Sequence, residues 1–230
     1  MNWKLSILWE VAEVKPKAMI QQVQIDAALC ERHSAAVQKK LDTARVAIAG
    51  LGGLGSHVAF ALARIGVGHL HLIDFDRVDI ANLNRQQYLL HHVGMFKTDA
   101  LKEELLDINP YLDIHTDCIH VTEENLLELF AQEDIVCEAF DSPEAKAMLV
   151  NGILESFSDT FLVAASGMAG YGDSNRIQTR RITDHFYLCG DGSAEPGPGY
   201  GLMAPRVMLC AAHQANLIVQ YICKTKKGEG

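Results

Sequence analysis

The chain alternates between short apolar runs and longer stretches in which apolar positions recur with helical spacing. Short apolar runs bounded by turn residues are typical of buried strands, and a recurrence every three to four residues is typical of helices that cover a sheet. The pattern predicts strands at residues 45–49, 69–73, 113–119, 134–139 and 161–165. It predicts helices at residues 27–43, 54–64, 98–108, 123–131, 144–157 and 205–223.

Strands and helices that alternate in this way predict a Rossmann-like α/β fold, with a mostly parallel sheet and helices on both faces. Residues 176–182 and 185–188 predict an antiparallel extension of the sheet toward the C-terminus. We expect one domain at residues 27–223, with an N-terminal arm of unknown role at 1–26 and a disordered tail at 224–230.

A glycine-rich segment, Gly-Leu-Gly-Gly-Leu-Gly at residues 50–55, lies between the first predicted strand and the following helix. Glycines there let the backbone turn tightly and approach a ligand, while the helix start offers free N–H groups and the positive end of a dipole. The segment predicts a phosphate-binding turn in which Gly50, Gly52, Gly53 and Gly55 contact a nucleotide. Alone, it suits NAD, FAD, S-adenosylmethionine or ATP.

The second predicted strand ends in Asp74-Phe75-Asp76, and Asp74 lies 22 positions after Gly52 (74 − 52). A Rossmann unit places a carboxylate about 20 residues after its glycines, where it accepts hydrogen bonds from ribose hydroxyls. Asp74 and Asp76 are therefore candidate nucleotide contacts. The glycine turn and this carboxylate do not distinguish an NAD-dependent enzyme from an ATP-dependent one.

The polar loop at residues 78–87 separates them better, because a hydride-transfer enzyme has no obvious use for it. Arg85 offers a planar fork of donors for phosphate oxygens, and Asn82 and Gln86 add neutral polar groups beside it. The asparagines also suit ordinary turn chemistry. Lys97 follows at the start of the next predicted helix.

Asp141 follows the fourth predicted strand, and ligands of open α/β sheets bind at the carboxyl ends of strands. Asp141 is a candidate Mg²⁺ ligand, or else the N-cap of the helix that begins at Pro143. Position alone leaves the two interpretations about even.

The formal net charge of −9 argues against a nucleic-acid-binding surface. The six cysteines include no C-x-x-C pair, so we predict no zinc site. We expect no signal peptide, no membrane-spanning segment and a cytoplasmic location.

Taken in order along the chain, several motifs resemble those of the ThiF/MoeB/HesA family of ubiquitin-activating-like enzymes. They are the glycine turn, Asp74-Phe75-Asp76, Asn82-Leu83-Asn84-Arg85-Gln86, Lys97, Asp141 and Gly201-Leu202-Met203-Ala204-Pro205. The resemblance covers about residues 30–222 and is greatest to the shorter ThiF-type adenylyltransferases of thiamine biosynthesis.

The resemblance implies an enzyme that uses ATP and Mg²⁺ to adenylate the C-terminal glycine carboxylate of a small β-grasp sulfur-carrier protein ending in Gly-Gly, with release of pyrophosphate. It implies that Asp74 holds the ribose and that Asp141 binds Mg²⁺. The phosphates would be held by Asn82, Arg85, Gln86 and Lys97.

Further features implied by the resemblance are a homodimer in which Arg32 reaches the partner's site and a covalent link between Cys189 and the carrier. A small apolar cysteine without chemistry is the competing interpretation of Cys189. The other five cysteines are predicted to lie in the core. We also predict that the glycine-rich segments 166–172 and 190–201 form a channel for the carrier tail.

Three other functions remain open from the sequence. A dehydratase of the same superfamily would activate another carboxylate, although the acidic charge argues against RNA. A non-catalytic nucleotide- or carrier-binding module would not need Arg85, Lys97 and Asp141 together. An NAD-dependent oxidoreductase is the most distant alternative.

Overall fold

The computed structural model describes residues 20–193 and 197–224. The predicted arm lies outside these residues up to residue 19, and the predicted tail lies outside them from residue 225 onward. The strands are β1 (Arg45–Ala49), β2 (His69–Ile73), β3 (Asp113–Asp117), β4 (Ile135–Glu138), β5 (Phe161–Ala165), β6 (Gln178–Arg181) and β7 (Phe186–Gly190). The helices are α1 (Gln22–His33), α2 (Ala35–Asp42), α3 (Gly53–Arg64), α4 (Lys97–Ile108), α5 (Glu123–Phe130), α6 (Pro143–Ser156) and α7 (Ala204–Lys224).

The seven strands form one sheet in the order β3-β2-β1-β4-β5-β7-β6. Every neighbouring pair is parallel except β6 and β7, which are antiparallel. The predicted fold class is confirmed, with one refinement: β7 pairs parallel to β5, so β6 alone is reversed. The chain progresses in opposite directions on the two sides of β1, and such a reversal opens a crevice at the carboxyl ends of β1 and β4.

Two hydrophobic cores lie on opposite faces of the sheet, because successive strand residues point to opposite faces. In β1, Val46 and Ile48 belong to the core beneath α3, α4 and α7, whereas Ala47 and Ala49 belong to the core beneath α5 and α6. All four side chains are fully buried. The helices cover both faces of the sheet, and the turn from β1 to α3 lies at the carboxyl end of β1.

The predicted single helix at residues 27–43 is wrong, because the chain breaks into two helices at Ser34. Ser34 has a φ of 77°, which ends α1, and its Oγ accepts the N–H of Val37 to cap α2. Serine is favourable at a helix N-cap because its hydroxyl satisfies a free N–H. Helix α1 also begins at Gln22, so it crosses the boundary predicted at residue 26.

The longest helix, α7, packs mainly on α3 and reaches β5, β6 and β7. Its buried residues recur with helical spacing, as in a helix that covers a sheet, whereas Met208 and Leu209 are exposed. Within residues 20–193 and 197–224, no helix is long and apolar enough to cross a lipid bilayer.

We expect Gly55→Ala to destabilise the fold by about 3 kcal/mol, because a Cβ there would lie 1.8 Å from the carbonyl oxygen of Gly50. Neither backbone can move without separating α3 from β1. Urea denaturation of the purified variant measures the loss.

The matched control is Gly52→Ala, in which the nearest atom to the new Cβ is Gln86 Nε2 at 3.7 Å. The free energy of unfolding of this variant should stay within about 1 kcal/mol of the original. Equal stability of the two variants would contradict the packing described for the turn.

Candidate functional site

The glycine turn connects β1 to α3 and lies at the crevice between β1 and β4. Gly50 has a φ of +92°, and a Cβ on it would lie 2.8 Å from the carbonyl oxygen of Ala139, just after β4. Gly50 is therefore required both by backbone conformation and by space. A Cβ on Gly52 would meet nothing nearer than 3.7 Å, so this side of the turn is open to a ligand.

Two side chains fix the turn through Leu51. Asp74 Oδ2 accepts the N–H of Leu51 at 2.6 Å, and the hydroxyl of Tyr88 donates to the carbonyl oxygen of Leu51 at 2.7 Å. Burial, reinforced by the nearby charge of Asp74, raises the pKa of Tyr88 well above its ordinary value, so the phenol stays a donor. Sequence reasoning missed Tyr88, although it lies three residues after Arg85 in the same polar loop.

The two acidic residues after β2 differ in exposure. The side chain of Asp74 is 8% exposed, and its Oδ1 accepts the N–H of Asp76 at 2.8 Å. The side chain of Asp76 is 48% exposed and pairs with Lys97 Nζ at 2.6 Å, while Lys97 Nζ lies 3.8 Å from Asp74 Oδ2. Lys97 is buried, so its ammonium offsets two carboxylates that would otherwise repel a phosphate.

The polar loop brings Arg85 and Gln86 to the start of α3. A Cβ on Gly53 would lie 3.4 Å from both Cγ and the carbonyl oxygen of Arg85, and Gln86 Nε2 faces Gly52. Gln86 is buried, and its Oε1 has no hydrogen-bond partner among the described residues. Because a buried polar atom without a partner is costly, this oxygen is suited to a ligand donor.

The position of Arg85 depends on a further residue that the sequence did not single out. His57, on the second turn of α3, lies with Nε2 3.2 Å from the carbonyl oxygen of Arg85. Burial lowers the pKa of His57 below 6.5, so the neutral ring donates this hydrogen bond. The Arg85 guanidinium binds Asn84 Oδ1 at 2.9 Å.

Asn82 serves the turn chemistry that competed with its predicted phosphate contact. Its Oδ1 accepts the N–H of Asp79 at 3.3 Å, and Asp79 caps the short helical turn at Ile80–Asn82. The carbonyl oxygen of Asn82 also accepts the N–H groups of Arg85 and Gln86. Asn82 thereby shapes the loop that carries these two side chains.

Asp141 directly follows Phe140, whose ring would lie 3.0 Å from a Cβ on Gly50. The helix that follows is capped by Ser142, whose Oγ accepts the N–H of Ala145 at 3.2 Å, and not by Asp141. Asp141 is exposed and has no hydrogen-bond or ion-pair partner within the described part of the chain. The interpretation of Asp141 as the N-cap of α6 is therefore wrong, and its carboxylate is available to bind a cation.

A buried ion pair supports the segment that carries Asp141. Glu138, at the end of β4, is fully buried and accepts Lys146 Nζ at 2.7 and 2.6 Å through its two oxygens. Glu138 Oε1 also accepts the N–H of Phe140 at 2.7 Å, and Lys146 Nζ lies 3.3 Å from the carbonyl oxygen of Phe140. Burial raises the pKa of Glu138, while Lys146 opposes that shift. The sequence reasoning did not single out Glu138, although a glutamate within a predicted buried strand indicates a buried charge that needs a partner.

The two glycine-rich segments are hydrogen-bonded to each other, and the channel that they would form for a carrier tail stays a prediction. Gly167 O accepts the N–H of Asp191 at 2.9 Å, and Gly170 N–H donates to Gly201 O at 2.8 Å. Buried Arg206 donates to Asp191 and to the carbonyl oxygens of Gly172 and Asp173. These contacts attach both segments to the start of α7.

The environment of Cys189 contradicts its predicted role as an accessible nucleophile. Cys189 is a fully buried residue of β7, and burial raises the pKa of its thiol to about 11. A reactive cysteine needs exposure and a lowered pKa. The prediction that all other cysteines lie in the core is wrong for Cys118, which is exposed. Arg32 is exposed in the last turn of α1, and its role toward a partner subunit stays a prediction.

The model of the ThiF family matches residues 22–229. The adenylyltransferase and sulfurtransferase UBA4 of Eremothecium gossypii is 38% identical over 138 residues, which are 59% of this chain and 30% of that protein. The tRNA threonylcarbamoyladenosine dehydratase of Bacillus subtilis is 39% identical over 145 residues, 62% of this chain and 56% of that protein.

Among solved structures, the E. coli tRNA N6-threonylcarbamoyladenosine dehydratase TcdA, in complex with ATP, superposes with a TM-score of 0.80. The match covers 92% of this chain and 99% of that chain at 23% identity, a likeness that shows the fold. The chain thus spans between about one quarter and just over one half of the length of the curated relatives named here or similar to them.

We expect Lys146→Met to lower the free energy of unfolding by about 3 kcal/mol near pH 8, because Glu138 is left as a buried charge without its partner. A raised pKa in the folded state means that ionisation of Glu138 opposes folding. The penalty should therefore shrink as the pH falls through that raised pKa and the carboxyl takes up a proton.

Urea denaturation of the original and variant chains at several pH values measures this dependence. Lys102→Met is the control, because Lys102 Nζ donates to the carbonyl oxygen of Ile114 at 3.0 Å and not to a carboxylate. The same pH dependence in both variants would exclude Glu138 as its source.

Proposed function

Since the chain belongs to the ThiF family, we propose that its site binds ATP and transfers the AMP group to a carboxylate. The observation that carries the proposal is the open side of the turn at Gly52, which faces the donor nitrogen Nε2 of Gln86, while the stem of Arg85 lies beside the neighbouring Gly53. A polyphosphate at this position would meet the N–H groups at the start of α3.

Asp74 would hold the ribose while it continues to fix the turn. Each of its oxygens accepts one backbone N–H, from Leu51 and Asp76, and a carboxylate oxygen has two lone pairs. One acceptor site on each oxygen is therefore available to a ribose hydroxyl. Asp76, which is half-exposed, is the second carboxylate in reach of the same crevice.

The proposed reaction joins two anions. A carboxylate oxygen forms a bond to the α-phosphorus, the bond from that phosphorus to the bridging oxygen breaks, and pyrophosphate leaves with the electron pair. The attacking carboxylate is ionised at neutral pH, so no general base is needed. Arg85 would offset the repulsion and stabilise the charge that develops on the phosphoryl oxygens, and Lys97 would join it by exchanging Asp76 for a phosphate.

Asp141 fits a magnesium ion, because its exposed carboxylate does not cap α6 and follows a central strand at the crevice. A bound Mg²⁺ would neutralise charge on the phosphates. The contribution of the chain is to hold Asp141 in place through the Glu138–Lys146 pair and the N–H of Phe140.

The proposed substrate is the C-terminal glycine of a small β-grasp sulfur-carrier protein ending in Gly-Gly, with thiamine biosynthesis as the context and the cytoplasm as the location. We further propose a homodimer in which Arg32 acts in the partner's site.

The relatives named UBA4 support an adenylyltransferase. The Bacillus subtilis relative favours a second candidate, a dehydratase that activates a carboxylate on tRNA, although the net charge of −9 disfavours a polyanion.

Exchange of labelled pyrophosphate into ATP tests the proposal. It is measured with the chain alone, with a purified carrier ending in Gly-Gly, and with tRNA that carries threonylcarbamoyladenosine. Exchange that requires the carrier supports the proposed substrate, and exchange that requires the tRNA supports the dehydratase. ATP binding by calorimetry without exchange in any arm would indicate a non-catalytic module.

Arg85→Ala should lower the exchange rate by about 100-fold or more, because a positive charge facing the developing phosphoryl charge is lost. The control is Arg64→Ala, which removes an arginine from the opposite end of α3. Thermal melting should show both variants folded. Exchange by Arg85→Ala at the original rate would remove Arg85 from the proposed mechanism.

A further inference from the structure

A cluster of histidines and carboxylates lies on the edge strand β3 and its neighbour β2, on the sheet face that also carries the α5–α6 core. His71 and His115 are register partners in the two strands, and Asp117 lies two residues further along β3. One oxygen, Asp117 Oδ2, lies 2.8 Å from His71 Nε2 and 3.1 Å from His115 Nε2. The three candidate donor atoms lie within 4.8 Å of one another.

We propose that His71, His115 and Asp117 form a binding site for one divalent transition-metal ion, with Zn²⁺ as the best match. Two imidazole nitrogens and one carboxylate oxygen are a donor set that suits zinc and its neighbours rather than Mg²⁺ or Ca²⁺. Three protein ligands leave a fourth tetrahedral position for water. The site is independent of the proposed nucleotide chemistry.

A second carboxylate orients the buried histidine. Glu133 Oε1 lies 3.2 Å from His71 Nδ1, and the side chain of Glu133 is 4% exposed. Arg45 Nη2 lies 3.8 Å from the same oxygen and helps to hold it. When Glu133 accepts the Nδ1 proton, the lone pair of Nε2 points toward Asp117, as in carboxylate–histidine–zinc arrangements.

Charge balance favours a cation at this position, because the carboxylates of Asp117 and Glu133 lie on opposite sides of the His71 ring. A metal ion between His71 Nε2 and Asp117 Oδ2 would bind His115 Nε2 at the same time. His115 is 67% exposed on the solvent side of Asp117, which gives the ion a path of entry.

The framework of the site is rigid, because both histidines lie on paired strands and not on loops. The carbonyl oxygen of Asp117 accepts the N–H of Asp74 at 3.3 Å. A metal at Asp117 would therefore stabilise the strand pair that carries the turn-fixing carboxylate. This donor set differs from the paired cysteines whose absence led us to predict no zinc.

A second group, His91, His92 and Glu103, is the competing candidate in the described part of the chain. It is less suitable, because His92 Nδ1 already accepts the N–H of Leu89 at 3.1 Å. The ring proton then lies on Nε2, which removes the lone pair that a metal needs.

Metal binding by the chelator-treated full chain tests the proposal. Zn²⁺ affinity is measured in competition with a chromogenic chelator, and the visible spectrum of Co²⁺ reports the coordination. We expect one ion per chain and a higher melting temperature with Zn²⁺. His115→Ala and Asp117→Asn should weaken Zn²⁺ binding by about 100-fold or more, and Glu133→Gln by about 10-fold.

The variants His91→Ala and Cys118→Ser are the controls and should bind Zn²⁺ with the original affinity. His115 is exposed, so its replacement should leave the fold intact, as circular dichroism will show. The proposal is overturned by less than one ion per chain, by unchanged affinity in His115→Ala, or by loss of binding in either control. A loss confined to Cys118→Ser would identify a thiolate site instead.

Discussion

The close approach of α3 to β1 is the constraint on which the rest of the structure depends. A Cβ on Gly55 would lie 1.8 Å from Gly50 O, so the first turn of the helix rests directly on the backbone of the turn. This contact directs the start of α3 toward the crevice between β1 and β4. Gly52 remains open on the side that faces away from the packing, and the same turn can thus be rigid and accessible.

Charge in the crevice is arranged so that acidic groups are offset close by. Lys97 lies between Asp74 and Asp76, and Lys146 pairs with Glu138 beneath Asp141. In a chain with a net charge of −9, unpaired carboxylates at this point would repel any phosphate. Among the described residues, Arg85 pairs with no carboxylate and Asp141 pairs with no cation. These two residues carry the proposed chemistry.

The residues that sequence reasoning missed act through other residues. Tyr88 holds a carbonyl of the turn, His57 holds a carbonyl of Arg85, and Glu138 holds the segment of Asp141. None belongs to a short motif, because each contact joins positions far apart in sequence or depends on burial. His71 and His115 are 44 positions apart (115 − 71), and only the strand register makes them neighbours.

The sequence alone determined the alternation of strands and helices, the parallel sheet and the position of the glycine turn, because periodicity and glycine placement are local properties. It also predicted Asp74, Arg85 and Asp141 as site residues, since these lie at strand ends or in a polar loop. The tertiary structure decided which side chains are accessible. It buried Cys189 inside β7, joined the two glycine-rich segments by hydrogen bonds, and gave the cap of α6 to Ser142 instead of Asp141. Burial and hydrogen-bond partners come from distant parts of the chain, and local patterns do not contain them.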